Sequence, residues 1–308
     1  MLTNTLYQQA QHLPSNFSVA DLNRRAGEEA VLMCRPTHFC VASAINPHMV
    51  TETGELQVVD PELAMKQWQE LFDVLTGLDL RVELIEPVPG LPDMVFTANQ
   101  SFPFLSPTGE RQVLLSRMRT EERRDEVRYF HDWYQDHGYR RIPLPFAAEE
   151  SLEGMGDLLW MTGRRFLFAG IGPRTTRSVV KRLPEVFSTP VLGLELVDPR
   201  FYHLDTALAI LDEKTALIHP AAFSAKSLEL LEATFERLLI PPENECESGF
   251  ACNALCLATG HVIVDEQCPE TAKMLLNHDY SVITVDTSEF RKSGGSVFCL
   301  TMMLPEAK

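Results

Sequence analysis

Basic residues are in short supply in this 308-residue chain: 27 lysines and arginines face 43 aspartates and glutamates, a formal charge of −16. The deficit excludes a phosphate-gripping face, and with it nucleic acid as a partner. An acidic surface favours cationic small molecules instead. No run approaches the roughly 20 apolar residues that cross a bilayer. The opening stretch, "MLTNTLYQQAQHLPSNFSVADLNRRAGEEA", carries no apolar segment of the secretory kind, so no membrane association is expected. Seven cysteines, an odd count, include no C-x-x-C pair and no histidine at zinc-finger spacing. That pattern argues against a disulfide framework and against a metal, and points to a reducing, cytoplasmic setting. Phosphate loops are missing too: "GIGPRT" is too short for G-x-G-x-x-G, and G-x-x-x-x-G-K-[ST] does not occur. No cofactor is expected.

What is present is an ordinary globular balance, 45% hydrophobic and 23% charged, enough for a substantial core. "AVLMCRP", "LRVELIEPV", "DMVFTANQSF", "RRIPLP", "TPVLGLELVD" and "YSVITVD" predict strands. Between them lie helical patterns. "DPELAMKQWQELFDVLTGLD" has Asp60 as N-cap, and "EERRDEVRYFHDWYQDHG" an apolar face through Val127, Phe130 and Trp133. "RTTRSVVKRLPEVF" is interrupted near Pro184, "SAKSLELLEATFERLL" opens on a serine, and "PETAKMLLNHD" is short. Strands and helices alternate throughout, which is the α/β class. The first thirty residues lack sustained periodicity and read as an appended arm.

Polar residues interrupt the apolar segments at a regular interval. Asn46, Asn99, Glu153, His203, Asn253 and Cys299 are separated by 53, 54, 50, 50 and 46 residues. A period near fifty predicts about five repeated supersecondary units, which would aim these groups at one centre. The chemistry such a set could run follows from its types. A cysteine with a distant histidine is the pattern of covalent thiol catalysis, the thiolate attacking and the imidazole moving protons. Asp93, Glu153, Asp157 and Asp205 would hold a planar cation such as guanidinium. Each residue also has a structural reading. Cys299, inside the strand pattern of "GGSVFCLTMML", would alone be a core thiol, and His203 with Asp205, two positions on along a strand, a satisfied pair. Glu153 and Asp157 in "EGMGD" would serve a turn, and Asn46 before Pro47 would open one. The pair Gly294–Gly295 before Cys299 would clear room for substrate.

Four ordered motifs, "LPDMVFTAN", "EGMGD", "DPRFYHLDTAL" and "KSGGSVFCLT", resemble those of the guanidine-modifying enzymes of the pentein superfamily. That group comprises arginine deiminases, dimethylargininases, arginine dihydrolases and glycine amidinotransferases. "VLMCRPTHFCVASAINPHM" resembles the N-terminal block of the arginine dihydrolase and bacterial dimethylargininase-like branch. The likeness covers residues 30–308 as one catalytic domain, with 1–29 as a polar extension. It implies a five-bladed α/β propeller with pseudo-fivefold symmetry and a metal-free hydrolase of the guanidinium group of arginine or a derivative. Cys299 would be the nucleophile, His203 the general acid and base, and Glu153 and Asp205 the guanidinium-binding acids. Asn46, Asp93 and Asn99 would contact substrate. Arg117, or Arg119 in its place, and Arg174 would bind its carboxylate. Asn99 stands where arginine deiminases carry an aspartate, an exchange that in the family tracks with arginine dihydrolases. His48, where the branch commonly has tryptophan, and "QSF" after Asn99 depart from the pattern and would admit a methylated arginine. An amidinotransferase or a non-catalytic pentein are the other outcomes the resemblance allows. A homo-oligomer is the general expectation for such proteins.

Overall fold

A computed structural model describes residues 2–15 and 17–305. One connection scheme occurs five times. Ser101–Leu105 runs antiparallel to Arg111–Leu115, which returns through the helix Glu126–Asp136 to lie parallel to Arg140–Ile142. Leu158–Trp160, Leu167–Ile171 and Val191–Glu195 repeat the scheme, as do Leu208–Ile210, Thr215–Ile218 and Arg237–Leu239. Leu255–Cys256, His261–Asp265 and Ser281–Val285 follow it again. The fifth sheet joins the two ends of the chain: Glu28–Cys34 is parallel to Arg81–Ile85 and antiparallel to Met302–Pro305. Each unit of the scheme supplies three strands, so each sheet needs its neighbours and a covering helix to bury both faces.

The helices form where the apolar spacing puts them. Pro61–Gly77 starts on Asp60, whose carboxylate accepts from Glu62 and Leu63 N–H, and it buries Ala64, Trp68, Leu71 and Leu75. Burying each of the larger side chains is worth about 1.5–3 kcal/mol. Pro184 does divide its segment, into Arg177–Val180 and Leu183–Phe187.

The arm is not a free appendage. Leu6–Tyr7 adds a fourth strand, parallel to Val191–Leu192, and Tyr7, Leu13 and Val19 are buried. Three expected strands also turn out otherwise. Asp93–Asn99 is a 3₁₀ turn over Pro92–Val95 followed by further turns, with Phe96 N–H bonded to Asp93 O and the strand starting only at Ser101. Cys299 lies in a turn, where Leu300 N–H reaches Ser296 O and Thr301 N–H reaches Phe298 O. His203 caps the 3₁₀ turn Leu204–Thr206 and Asp205 lies within it, so the two do not share a strand face. These segments are buried on every side, so alternation was no guide to their backbone.

The turns share one position in the scheme. Asn99, Glu153, His203, Asn253 and Cys299 each come two to five residues before the first strand of a sheet. The fifty-residue period of the sequence is therefore the period of the fold.

Candidate active site

Cys299 is 2% exposed. Its Sγ lies 3.2 Å from Asp205 Oδ2 and accepts from Asn253 Nδ2 at 3.1 Å. Asn253 Oδ1 accepts the Cys299 N–H at 3.2 Å and the Ser296 N–H at 3.1 Å, so one amide fixes both thiol and backbone. Burial, with the Asp205 carboxylate beside it, pushes the thiol pKa well up. Burial likewise raises Asp205 to about 7, against the hydrogen bonds from Cys299 and Asn253. Its second oxygen, Oδ1, has no partner among the described residues.

His203 Nε2 lies 2.8 Å from Glu153 Oε2, both groups fully buried. Glu153 also accepts from Arg174 Nη1 at 3.1 Å and from the Arg119 backbone N–H at 2.8 Å. Burial alone would raise its pKa, but Arg174, His203 and Arg123 outweigh that and hold it near 2. Glu153 is thus a permanent anion that orients the imidazole. Asp157, raised by burial to about 6, accepts from Thr175 Oγ1 at 2.6 Å and the Leu204 N–H at 3.0 Å, tying the turn at Glu153 to the turn at His203.

A cavity of about 260 Å³ opens onto Cys299, lined also by Asn46, Asp93, Asn99, Arg123 and Arg174. Asn46 Nδ2 donates to Ser293 O at 2.9 Å, anchoring the turn before the thiol. Asp93 is buried, its pKa raised by that burial, with the Ser293 hydroxyl 3.4 Å from it. Arg174 also donates to Ile45 O at 2.7 Å and stacks 4.9 Å from the Tyr202 ring centroid. All six residues marked by their spacing thus meet in or beside one cavity. His48 stands outside it, its ring nitrogen 2.9 Å from Arg200 O.

Arg117 does not line the cavity. Its guanidinium is committed to the carbonyls of Ala147 at 2.8 Å and Ala148 at 2.9 Å. Arg119 contributes its backbone to Glu153 while its side chain turns outward to Glu149 O. The second cavity arginine is Arg123, 4% exposed, paired with Glu126 at 2.9 Å. Its Nη1 donates to Asn99 Oδ1 at 2.8 Å and its Nη2 to Asp93 O at 2.9 Å. Because Arg123 claims Oδ1, the Asn99 amide is oriented, and its Nδ2 is a buried donor with no acceptor among the described residues. Sequence reasoning missed Arg123 because "RTEERRDEV" looks like a solvated charged run; the apolar Val127 and Phe130 beyond it were the signal that one turn faces inward.

The glycines before Cys299 clear space for neighbouring side chains, and Gly295 also lines the cavity. A Cβ on Gly295 would lie 2.5 Å from the Phe96 ring and 3.1 Å from Cys299 Cβ, and Gly294 has φ +85° with Tyr202 Oη 2.8 Å from where its Cβ would be.

The family model for eukaryotic N,N-dimethylarginine dimethylhydrolases matches residues 35–305. A dimethylarginine dimethylaminohydrolase of Mycobacterium tuberculosis is 39% identical over 270 residues, 88% of this chain and 84% of its own length. The bifunctional arginine dihydrolase/ornithine cyclodeaminase ArgZ of Synechocystis is 34% identical over 288 residues; the match takes in 91% of this chain and 38% of that protein. The solved N-terminal domain of ArgZ, a mutant bound to substrate, superposes with a TM-score of 0.82 at 33% identity, covering 90% of this chain and 98% of the domain.

Proposed function

Since the chain belongs to the N,N-dimethylarginine dimethylhydrolase family, and is accordingly a hydrolase of guanidino C–N bonds, we propose that it is an arginine dihydrolase working through Cys299. The observation that carries this reading is the Asn99 amide. A guanidinium substrate asks its cradle for acceptors, which Asp205 supplies. The ureido product of a first hydrolysis has a carbonyl oxygen and asks for a donor, which an aspartate at the same place could not offer. Asn99 Nδ2 is such a donor, buried and unspent.

The steps follow from the groups. Entry of the cation beside Asp205 lowers the Cys299 pKa, and the thiolate adds to the guanidinium carbon. His203, held by Glu153, protonates the departing nitrogen, and ammonia leaves a thiouronium on Cys299. The same imidazole then takes a proton from water as it attacks, releasing the ureido compound. A second cycle on that carbon removes a second ammonia, and the remaining N-carboxylate loses carbon dioxide to give ornithine. Arg123 and Arg174 are the cations available to the substrate's carboxylate, in place of Arg117. The fivefold repeat further supports an arrangement of the sheets as five blades of a pentein propeller about this cavity, which a crystal structure would test.

A second reading, hydrolysis of dimethylarginine to citrulline and dimethylamine, is favoured by the 39% identical relative. One assay separates them: purified protein with L-arginine or dimethylarginine, reading ornithine, citrulline, ammonia and dimethylamine, beside Cys299→Ala. Ornithine with two ammonia per arginine supports the dihydrolase; turnover of dimethylarginine alone overturns it.

A further inference from the structure

The chain from residue 35 to residue 46 is irregular, and it then bends through the 3₁₀ turn Pro47–Met49. Irregular loops of that length inside a compact domain are usually functional. This one brings Ile45, Asn46 and Met49 to the wall of the cavity at Cys299. Ala44 and Pro47, beside them, are exposed, so a single layer of chain separates cavity from solvent there. Arg174 Nη2 holds the segment by donating to Ile45 O at 2.7 Å, and Asn46 Nδ2 by donating to Ser293 O at 2.9 Å. Both residues line the cavity, where a substrate can claim the same groups.

His48 ties the segment from outside the cavity. Its backbone N–H donates to Asn46 Oδ1 at 2.9 Å, which fixes the Asn46 amide, and its ring Nε2 lies 2.9 Å from Arg200 O. Burial lowers the His48 pKa, so the ring is uncharged at neutral pH, and a carbonyl partner requires the proton on Nε2. The ring also packs 4.8 Å from Phe250.

Both supports are braced, and both lead to the site. Asp198 accepts the Arg200 backbone N–H at 2.9 Å and Arg200 Nη2 at 2.6 Å, in the turn just before His203. Phe250 is buried at φ +55°, and its carbonyl accepts the Asn253 N–H at 2.8 Å. One side chain thus joins the wall of the cavity to the turns of His203 and Asn253.

The proposed chemistry gives that wall a task. A guanidinium is held at Asp205 by its charge, but the ureido compound left by a first hydrolysis is neutral at that end and loses the attraction. It meets a second water only if it leaves more slowly than it reacts. We propose that His48 is a positioning residue that clasps residues 45–49 against the turns of His203 and Asn253, and so retains the ureido compound between the two hydrolyses. The retention rests on the dihydrolase reading, the clasp on the contacts alone.

Two measurements on the full-length protein test this. His48→Phe keeps a ring and removes the donor; His48→Gln keeps a donor without the ring. In initial-rate turnover of L-arginine, His48→Phe should release at least fivefold more citrulline per ornithine than wild type, with His48→Gln between them. Alkylation of Cys299 by iodoacetamide at pH 8, read by mass spectrometry of its peptide, needs no turnover and should be at least threefold faster in His48→Phe. Near-ultraviolet circular dichroism checks that each variant is folded; should His48→Phe not fold, His48→Leu takes its place. A residue that only stabilised the fold would lower total activity and leave the product ratio alone. An unchanged ratio therefore overturns the retention, and alkylation at the wild-type rate overturns the clasp. A wild-type protein that gives no ornithine overturns the dihydrolase reading and the retention with it, while the alkylation rates still decide the clasp.

Discussion

Asn253 holds Cys299 at both ends, its Nδ2 3.1 Å from Sγ and its Oδ1 3.2 Å from the backbone nitrogen. The same Nδ2 reaches Asp205 O at 3.0 Å, so a single buried amide joins the proposed nucleophile to the acid beside it. Replacing it by alanine strands two backbone N–H groups, those of Cys299 and Ser296. Each buried donor left unmade costs about 1–3 kcal/mol. Asn253→Ala should therefore lower the unfolding midpoint in urea and reduce kcat about a hundredfold, as expected when a reacting atom loses its alignment. A variant with wild-type kcat would show that the thiol is positioned by other contacts.

Asp205 acts on Cys299 in two opposed ways. In the proposed reaction it receives the cation, yet in the free protein its charge and hydrogen bond raise the thiol pKa. Asp205→Asn should abolish guanidine hydrolysis and, at the same time, speed alkylation of Cys299 by iodoacetamide several-fold at pH 8, followed by mass spectrometry of the Cys299 peptide. In the wild type that rate should keep rising with pH beyond the usual thiol range near 8.5. Slower alkylation in the variant would mean that Asp205 serves as a base for the resting thiol.

Glu153 makes a pH-dependent contribution to stability with a definite sign. Its pKa is about 2 in the folded chain and 4.5 ordinarily, so the unfolded state binds the proton first as pH falls. The contribution is fully present above about pH 5 and fades toward pH 2. The shift corresponds to about 3 kcal/mol at neutral pH. Glu153→Gln also leaves Arg174 and His203 facing no anion, and breaking such a buried pair costs about 3–5 kcal/mol. Urea denaturation of both proteins between pH 7 and pH 3 should show a gap that narrows with acid. A gap independent of pH would contradict the low pKa.

Much of this site was legible before any coordinates. Five of the six polar interruptions, all but Asn46, occupy equivalent turns about fifty residues apart, and they converge because the chain repeats one unit. Helices with a clear apolar face, such as Pro61–Gly77, fell where expected. What stayed hidden was the direction of side chains in fully buried turns. Cys299 and Asn99 looked like strand residues because their neighbours are apolar on both sides, and the 3₁₀ bonds that bend these segments have no signature of their own. Arg117 and Arg123 lie six residues apart in one charged stretch, and composition cannot say which is turned inward. The answer lies in partners far away or across the turn: Glu126 and Asn99 for Arg123, the carbonyls of Ala147 and Ala148 for Arg117.

That division yields a direct contrast between two arginines. Arg123→Ala removes a cation from the cavity and also releases Asn99, so kcat/KM for arginine should fall by about a hundredfold or more, equivalent to at least about 2.7 kcal/mol. Arg117→Ala loses only hydrogen bonds to the 146–148 segment and should change kcat/KM less than fivefold. Steady-state kinetics on both variants decides the matter. A large KM increase in Arg117→Ala with Arg123→Ala nearly silent would reverse the assignment.

Two glycines in "EGMGD" should fail differently when given a methyl group. Gly154 has φ +48°, and a Cβ there would lie 2.3 Å from Ser101 O and 2.8 Å from the Ala98 and Asn99 carbonyls. Backbone cannot yield cheaply, so Gly154→Ala should be strongly destabilised, by more than the about 1–3 kcal/mol usual for overpacking. At Gly156 the Cβ meets side chains instead, Asn99 Nδ2 at 2.6 Å and the His203 ring at 3.1 Å. Those groups can shift, but they are the proposed donor and proton carrier of the site. Gly156→Ala should therefore fold with a modest loss of stability while kcat drops about a hundredfold, since a displacement near 1 Å is enough for that. If Asn99 is the group that moves, the variant should also release more citrulline per ornithine from arginine. Thermal unfolding and the product assay on both variants test the contrast. A Gly156→Ala enzyme with native kcat and product ratio would show that neither His203 nor Asn99 depends on the space that glycine leaves.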